Sequence, residues 1–372
     1  MTMIRFILLL FVFLLGTTAC LQGQSLSDQL AKAEEYLYEE DCDQAEKILL
    51  SISEACKFSE NDSIRSVYYH HLGTLLINQG EYDDGIKALS LCCEIREKEE
   101  ALFLNEYWDA VVGIIDTYVD LENYQKAAYI CRRTLVRNEE ILNLNPGSHD
   151  ILGMMGRLFM PKQIPWIYSQ LGTCMEALGD NDIVDRVYLK GQEYADVLCS
   201  PEDPLGLINL YNLRRVYTEQ RKYKQANEQY IKIIQKLEEA YGNKHPKYLS
   251  AIVDAVYFYN YLGVYDAAVR TSEYALSCAN DSIGITDPVM SELYPNYLIA
   301  LSALGRYDDI ETVMPYALTT IENCITCDRT PSEMYYCVAL GAKISGNNEN
   351  AQKYYRLYLE LNEDKENLLP LK

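Results

Sequence analysis

The 372 residues are 49% hydrophobic and 24% charged, a balance that sustains continuous burial along the chain and excludes long disordered stretches. The 33 basic residues stand against 55 acidic ones, a formal charge of −22. That excludes nucleic acid and bare anionic membrane surfaces as partners, because both are bound through positive charge, and it favours a protein partner of basic or mixed charge.

The chain opens with Met1 to Arg5, which carry one positive charge, followed by the apolar run Phe6 to Gly16 and the small residues Thr17, Thr18 and Ala19. This is the layout of an export signal. The run is shorter than the roughly 17–25 residues of a membrane helix, so residues 1–24 are read as a signal peptide. Two cleavage positions fit. Cleavage after Ala19 leaves Cys20 first, which resembles the lipid-attachment signal of bacterial lipoproteins, although that family places Leu, Val or Ile where this chain has Thr17. Cleavage near Gln24 leaves no anchor. The expected location is outside the cytoplasm: periplasmic, secreted, or membrane-anchored by lipid at Cys20. Loss of the leader removes one basic residue, leaving 32 against 55 and a charge of −23.

From there the chain repeats. Small or apolar residues recur at Ala45, Gly85, Ala127, Val184, Ala226, Ala268, Ile310 and Ala351, at spacings of 40, 42, 57, 42, 42, 42 and 41. Three residues earlier stands an aromatic at Tyr82, Tyr124, Tyr223, Tyr265 and Tyr307, with Cys42, Asn181 and Asn348 as exceptions. Two before that, Gly80, Gly179, Gly263, Gly305 and Gly346 mark a turn, and four after the small residue comes a larger one, as at Leu89, Tyr188, Tyr230, Met314 and Tyr355. The physics of this order is a helical hairpin. The glycine ends the first helix in a left-handed conformation, the tyrosine packs back over the turn, and the small residue lets the second helix approach the first. One hairpin cannot bury both of its faces, so neighbours must stack.

The pattern resembles the tetratricopeptide repeat (TPR): Leu72-Gly73, Leu76, Gly80, Tyr82 and Leu89 follow its order, with Gly85 in place of the usual alanine, and Leu171-Gly172, Met175 and Gly179 repeat the first half. That family's period is about 34 residues, and the period of about 42 here is similar to the long repeats of kinesin light chains. The connection Tyr241-Gly242-Asn243-Lys244-His245-Pro246 is similar to the one between those repeats. The resemblance implies an all-α, right-handed α-solenoid of about eight TPR-like hairpins over residues 25–372, with the end hairpins acting as caps. The interval of 57 contains about fifteen extra residues, an insertion at about 145–165 marked by Pro146, Gly147, Gly153, Gly156, Pro161 and Pro165. Its apolar centre, Ile151 to Met155 with Leu158 to Met160, is expected to pack, either capping the adjacent hairpins or lying in the groove.

Catalytic signatures are missing: there is no phosphate-binding glycine loop, no nucleophile elbow and no zinc helix. His70 and His71 are adjacent, so they point about 100° apart on a helix and are read as surface or seam residues rather than ligands. Cys92, Cys131 and Cys174 fall at packing positions. Cys324 and Cys327 form a C-x-x-C near a helix end with Cys337 beyond, read as a structural disulfide or free thiols, because a metal site would need a fourth ligand. Asn61-Asp62-Ser63 and Asn280-Asp281-Ser282 match a glycosylation sequon, and coincidence in turn-rich segments is the favoured reading. No cofactor and no metal is expected.

These readings add up to a non-catalytic interaction scaffold in the cell envelope whose partner is a protein or peptide. The alternatives are a secreted α/α-toroid acting on polysaccharide and the sensor module of a signalling system. In TPR-like arrays the first helix of each pair faces the groove. In the fifth unit Leu210, Leu213 and Tyr217 fit the buried seam, which turns Tyr211, Asn212, Arg215 and Thr218 toward the groove. One period on, Arg215 projects to Tyr257 and then Ile299, and Thr218 to Asn260 and then Ser302. This stripe of aromatic, amide and cationic groups is the expected peptide-binding surface.

Overall fold

The computed structural model of the chain describes residues 25–98, 105–143, 161–279, 288–324, 329–362 and 369–371. Residues 1–24, read above as a signal peptide and including Cys20, the expected insertion up to 160, Cys327 and the sequon at Asn280 lie outside the described residues.

The chain divides into two compact units, Met1–Leu198 and Cys199–Lys372. In the first, the described helices are α1 (Leu26–Tyr38), α2 (Cys42–Lys57), α3 (Asp62–Asn78), α4 (Tyr82–Lys98), α5 (Asn105–Asp120), α6 (Tyr124–Asn143), α7 (Ile164–Ala177) and α8 (Val184–Leu198). The second holds α9 (Ile208–Glu219), α10 (Tyr223–Tyr241), α11 (Pro246–Tyr261), α12 (Tyr265–Ala279), α13 (Pro288–Ala303), α14 (Tyr307–Asn323), α15 (Pro331–Ile344) and α16 (Asn348–Leu361), preceded by a 3₁₀ turn at Pro204–Gly206. Taken in consecutive pairs, these sixteen helices are eight hairpins, and no strand occurs among the described residues. No described helix is long and apolar enough to cross a membrane.

The hairpin turns share one geometry. Three residues past the end of each hairpin's first helix, an N–H donates to the carbonyl five positions back: Asp41 to Tyr36, Glu81 to Leu76, Asn123 to Tyr118 and Asp180 to Met175 in the first unit, all at 2.8–2.9 Å. In the second unit, Lys222 to Tyr217, Val264 to Tyr259, Arg306 to Leu301 and Asn347 to Ala342 repeat it. Such a bond closes only when the intervening residue is left-handed. Gly80, Gly179, Gly263, Gly305 and Gly346 supply that conformation with φ of 72–83°, while Glu40, Glu122 and Arg221 adopt it at 60°, 54° and 57° despite carrying side chains.

The tyrosine of each motif is the first residue of α4, α6, α10, α12 and α14. The small residue of the motif is buried: Ala45, Ala127, Ala226 and Ala268 are 0% exposed. Where two glycines face each other the helices approach closely, since a Cβ on Gly85 would stand 3.0 Å from the Gly73 carbonyl oxygen. Pro165, read as the end of the insertion, instead sits in the first turn of α7, where Ile164 and Ile167 are fully buried. Proline suits a first turn because its missing N–H would have had no partner there. The repeat therefore resumes at Ile164.

Caps follow the usual chemistry. Ser25 and Asp28 form a capping box on α1, and Asn61 caps α3 through its side-chain oxygen, which accepts from the Ser63 and Ile64 amides. His245 caps α11 by accepting the Lys247 amide on Nδ1 and stacks on Tyr241 at 4.6 Å, with Gly242 closing α10 at φ 77°. The His-Pro connection is thus a rigid corner. His71 is buried, so the histidine pair lies in a seam, with ring centres 5.5 Å apart and tilted by 59°. The thiols of Cys56, Cys93, Cys131, Cys174 and Cys337 are free and buried.

Candidate peptide-binding groove

Helix α9 turns two faces in different directions. Leu210, Leu213 and Tyr217 are 1%, 0% and 6% exposed, as helical rotation requires of a seam. The opposite face, with Tyr211, Asn212, Arg215 and Thr218, lines a cleft of about 430 Å³ together with Arg214, Glu219 and Tyr230 of α10. The four residues expected from the fifth unit are brought together there. A smaller cleft of about 310 Å³ lies next to it, shares Tyr211 and is walled by Leu207, Leu237, Tyr241 and Asp254.

Arg214 organises the wall between them. Its guanidinium lies 5.3 Å from the Tyr211 ring centre and 4.9 Å from that of Tyr230, and it donates to Asp254 Oδ2 of α11 at 2.6 Å. Tyr230 is itself stacked on Phe258 of α11, with centres 4.7 Å apart and planes at 28°. The planar cation is therefore held by two rings and one carboxylate, a geometry that lysine does not reproduce. Burial raises the Tyr211 phenol above its usual range, with Asp254 adding to the effect and Arg214 opposing it. Burial likewise raises Tyr230, against the pull of Arg214. Both hydroxyls stay protonated at neutral pH and keep a donor for a ligand.

The other stripe residues are placed as follows. Arg215 is exposed and pairs with Glu219 one turn on at 3.2 Å. Thr218 donates its hydroxyl to the Arg214 carbonyl at 2.7 Å. Tyr257 stands 62% exposed on α11, with Tyr261 one turn further at 58%. Asn260 donates to the Asn296 carbonyl at 2.8 Å, Ile299 is half-buried against the core of the second unit, and Ser302 is fully buried, donating to the Val338 carbonyl at 2.7 Å. The exposed part of the stripe thus runs over α9 and α11, and on α13 the same slots join helix to helix. Sequence reasoning missed Arg214, Tyr230 and Asp254 as cleft residues, because they meet only through packing between helices.

Charge singles out the same place. From Ile208 to Tyr241 there are seven basic residues against four acidic ones, and none of the other seven hairpins carries a net positive charge. The chain is strongly acidic as a whole, yet the hairpin that carries the cleft is basic.

Comparison with known proteins gives a fold. Neither a family model nor a curated protein matches the sequence. Among solved structures, the apo form of RapI is similar over 92% of this chain and 89% of that one, at 14% identity and a TM-score of 0.55. A signal-transduction ATPase with a tetratricopeptide repeat sensor, from Pyrococcus horikoshii, is similar over 92% of this chain and 48% of its own, at 15% identity and a TM-score of 0.50. TPR-like repeats of a kinesin light chain from Podospora anserina match 54% of this chain and 95% of their own, at 13% identity and a TM-score of 0.42. At these identities the likeness concerns the fold, and the fold is that of a TPR-like helical array.

Proposed function

We propose that the protein is a non-catalytic interaction module of the cell envelope that holds an extended, acidic peptide segment of a partner protein across α9 and α11. The observation that carries this reading is Arg214, fixed between Tyr211 and Tyr230 at the wall of a cleft in the one basic hairpin of an acidic chain. Ordered aromatic and arginine side chains at a cleft are the usual anchors of a protein interface. Arg215 is held to Glu219 by an exposed pair one helical turn apart, worth only about 0.3–0.5 kcal/mol, so an incoming carboxylate displaces Glu219 at little cost. Tyr257 and Tyr261 extend the surface with two exposed rings. The acidic remainder of the chain repels such a ligand elsewhere and so fixes where it docks. Placement in the envelope rests on the leader at 1–24.

The test pans a random-peptide display library on the parent and on the Arg215→Glu, Tyr257→Ala double variant. The reading expects enriched sequences rich in Asp and Glu, binding that weakens with salt, and at least a tenfold loss in the double variant at an unchanged helical melting curve. Recovery of the same peptides at the same affinity on both proteins would overturn it. Mass spectrometry of the mature amino terminus decides between an anchor on Cys20 and a start near Gln24.

A further inference from the structure

The last hairpin holds a short non-helical segment of the chain, residues 369–371, by its main chain. Leu369 donates its N–H to Tyr358 Oη at 2.9 Å and accepts on its carbonyl from the Tyr355 hydroxyl at 3.1 Å. The Pro370 carbonyl accepts from the Tyr336 hydroxyl at 3.4 Å, and the Leu371 carbonyl accepts from Lys343 Nζ at 2.9 Å. All three carbonyls of the segment are thus paired, and every partner is a side chain of α15 or α16. Pro370 has no N–H, so the position between the two leucines carries no donor that needs a partner. The three tyrosines support one another, with Tyr336 and Tyr355 at 5.4 and 5.8 Å from the Tyr358 ring centre.

A segment that served only to cover the end of the array would be held by its side chains. Here Leu369 is 44% exposed and Pro370 is exposed as well, while Leu371 alone packs on the core of the second unit. Side chains that reach for every carbonyl, leave two of the segment's three side chains in water and seat one apolar anchor are the chemistry of peptide capture. Proline also favours it, because an extended residue before proline and a fixed φ at proline leave little entropy to lose on docking.

We propose that α15 and α16 carry a second peptide site, separate from the cleft on α9, which takes an extended X-Pro-Leu segment, and that residues 369–371 are its built-in, detachable occupant. An intramolecular segment acts at an effective concentration on the order of millimolar, so a partner's X-Pro-Leu segment gains the site only when it outcompetes the chain's own.

The experiment uses the full chain and a fluorescein-labelled, amide-capped peptide matching residues 366–372. Leu371→Asp disables the internal occupant. The expected result is saturable binding of the peptide to this variant, at least tenfold weaker binding to the parent, and at least a tenfold loss when Lys343→Ala and Tyr355→Phe are added to the variant. No binding to a folded Leu371→Asp chain, or equal binding to that variant and the parent, overturns the proposal. A second measurement does not depend on that variant folding. In the chain with Lys343→Ala and Tyr355→Phe alone, amide exchange at Leu369 should rise at least tenfold while α15 keeps its protection. Loss of protection across α15 and α16 together would make the segment a structural cap and overturn the detachable site.

Discussion

Gly341 on α15 sits so close to Ile299 on α13 that a Cβ at Gly341 would lie 2.4 Å from the Ile299 carbonyl oxygen, and 3.0 Å from the Ala303 amide nitrogen as well. Both obstacles are backbone, which cannot rotate aside. Gly341→Ala therefore forces the two first helices apart. Helix propensity favours alanine by about 1 kcal/mol, while overpacking costs about 1–3 kcal/mol or more, and rigid neighbours place this site at the upper end. The expected outcome is a net loss of about 1–3 kcal/mol in urea unfolding. An unchanged midpoint would show that the contact is looser than described.

Ala226 and Ala268 hold the small-residue position of their hairpins and are 0% exposed. Leucine at either position should cost about 1–3 kcal/mol. Urea midpoints of both variants check the repeat register itself, since a one-residue slip would turn either position toward water and remove the penalty.

The register was legible because its marks are residue types. Glycine at the turn, tyrosine three before a small residue, and that small residue each serve a local need, and they fell where the turns and helix starts are. Glu40, Glu122 and Arg221 take the same left-handed turn and were not legible, because nothing in a glutamate or arginine announces that conformation. The cleft was half legible for a related reason. Helical rotation on α9 separates Leu210 and Leu213 from Tyr211 and Arg215, but Tyr230 and Asp254 reach Arg214 from other helices, and no rule of spacing within one helix contains them. The segment 369–371 has no periodicity at all, so its place could come only from the structure.

Those three strained turns give a stability prediction. A side chain in the left-handed region costs about 1–2 kcal/mol, and the greater freedom of glycine in the unfolded chain returns about 0.4–1 of that. The triple variant Glu40→Gly, Glu122→Gly, Arg221→Gly, at three well-separated sites, should therefore gain about 2 kcal/mol in total. Thermal melting reads the sign directly. A lower transition would mean that the side chains at these turns make contacts worth more than the strain.

His71 gives a pH dependence. Burial, with a smaller contribution from the neighbouring His70, lowers its imidazole to about 3, and its Nε2 is buried without a hydrogen-bond partner. In the unfolded chain a histidine takes its proton near pH 6.5. Between these values the unfolded state binds more protons than the folded one, so stability falls as pH drops from about 6.5 toward 3. The full effect is on the order of 5 kcal/mol, of which about 2 kcal/mol is lost by pH 5. His71→Met keeps the volume and removes the proton site. Between pH 7.5 and pH 5 the parent should lose about 2 kcal/mol more than this variant, and equal losses would mean that His71 accepts its proton without unfolding.

The last prediction asks what holds Arg214 at the cleft. Its side chain is 23% exposed and that of Asp254 is 45% exposed, so solvent screens the pair and limits it to about 0.5–1 kcal/mol. The two ring contacts add about 0.5–1 kcal/mol each and depend on the flat face of the guanidinium. Arg214→Ala should then cost about 1.5–3 kcal/mol and Asp254→Asn about a third of that, with a coupling energy between them below about 1 kcal/mol. Raising the salt to 1 M should abolish the coupling, since the Debye length falls to about 3 Å, and should leave most of the Arg214→Ala cost in place. Arg214→Lys separates the two contributions, because it keeps the charge opposite Asp254 and loses the stacking surface. Lysine behaving like alanine in urea unfolding, and binding no acidic peptide, is the outcome of a cleft built by aromatic stacking. Lysine behaving like the parent would mean that the ion pair, and not Tyr211 and Tyr230, positions the cation.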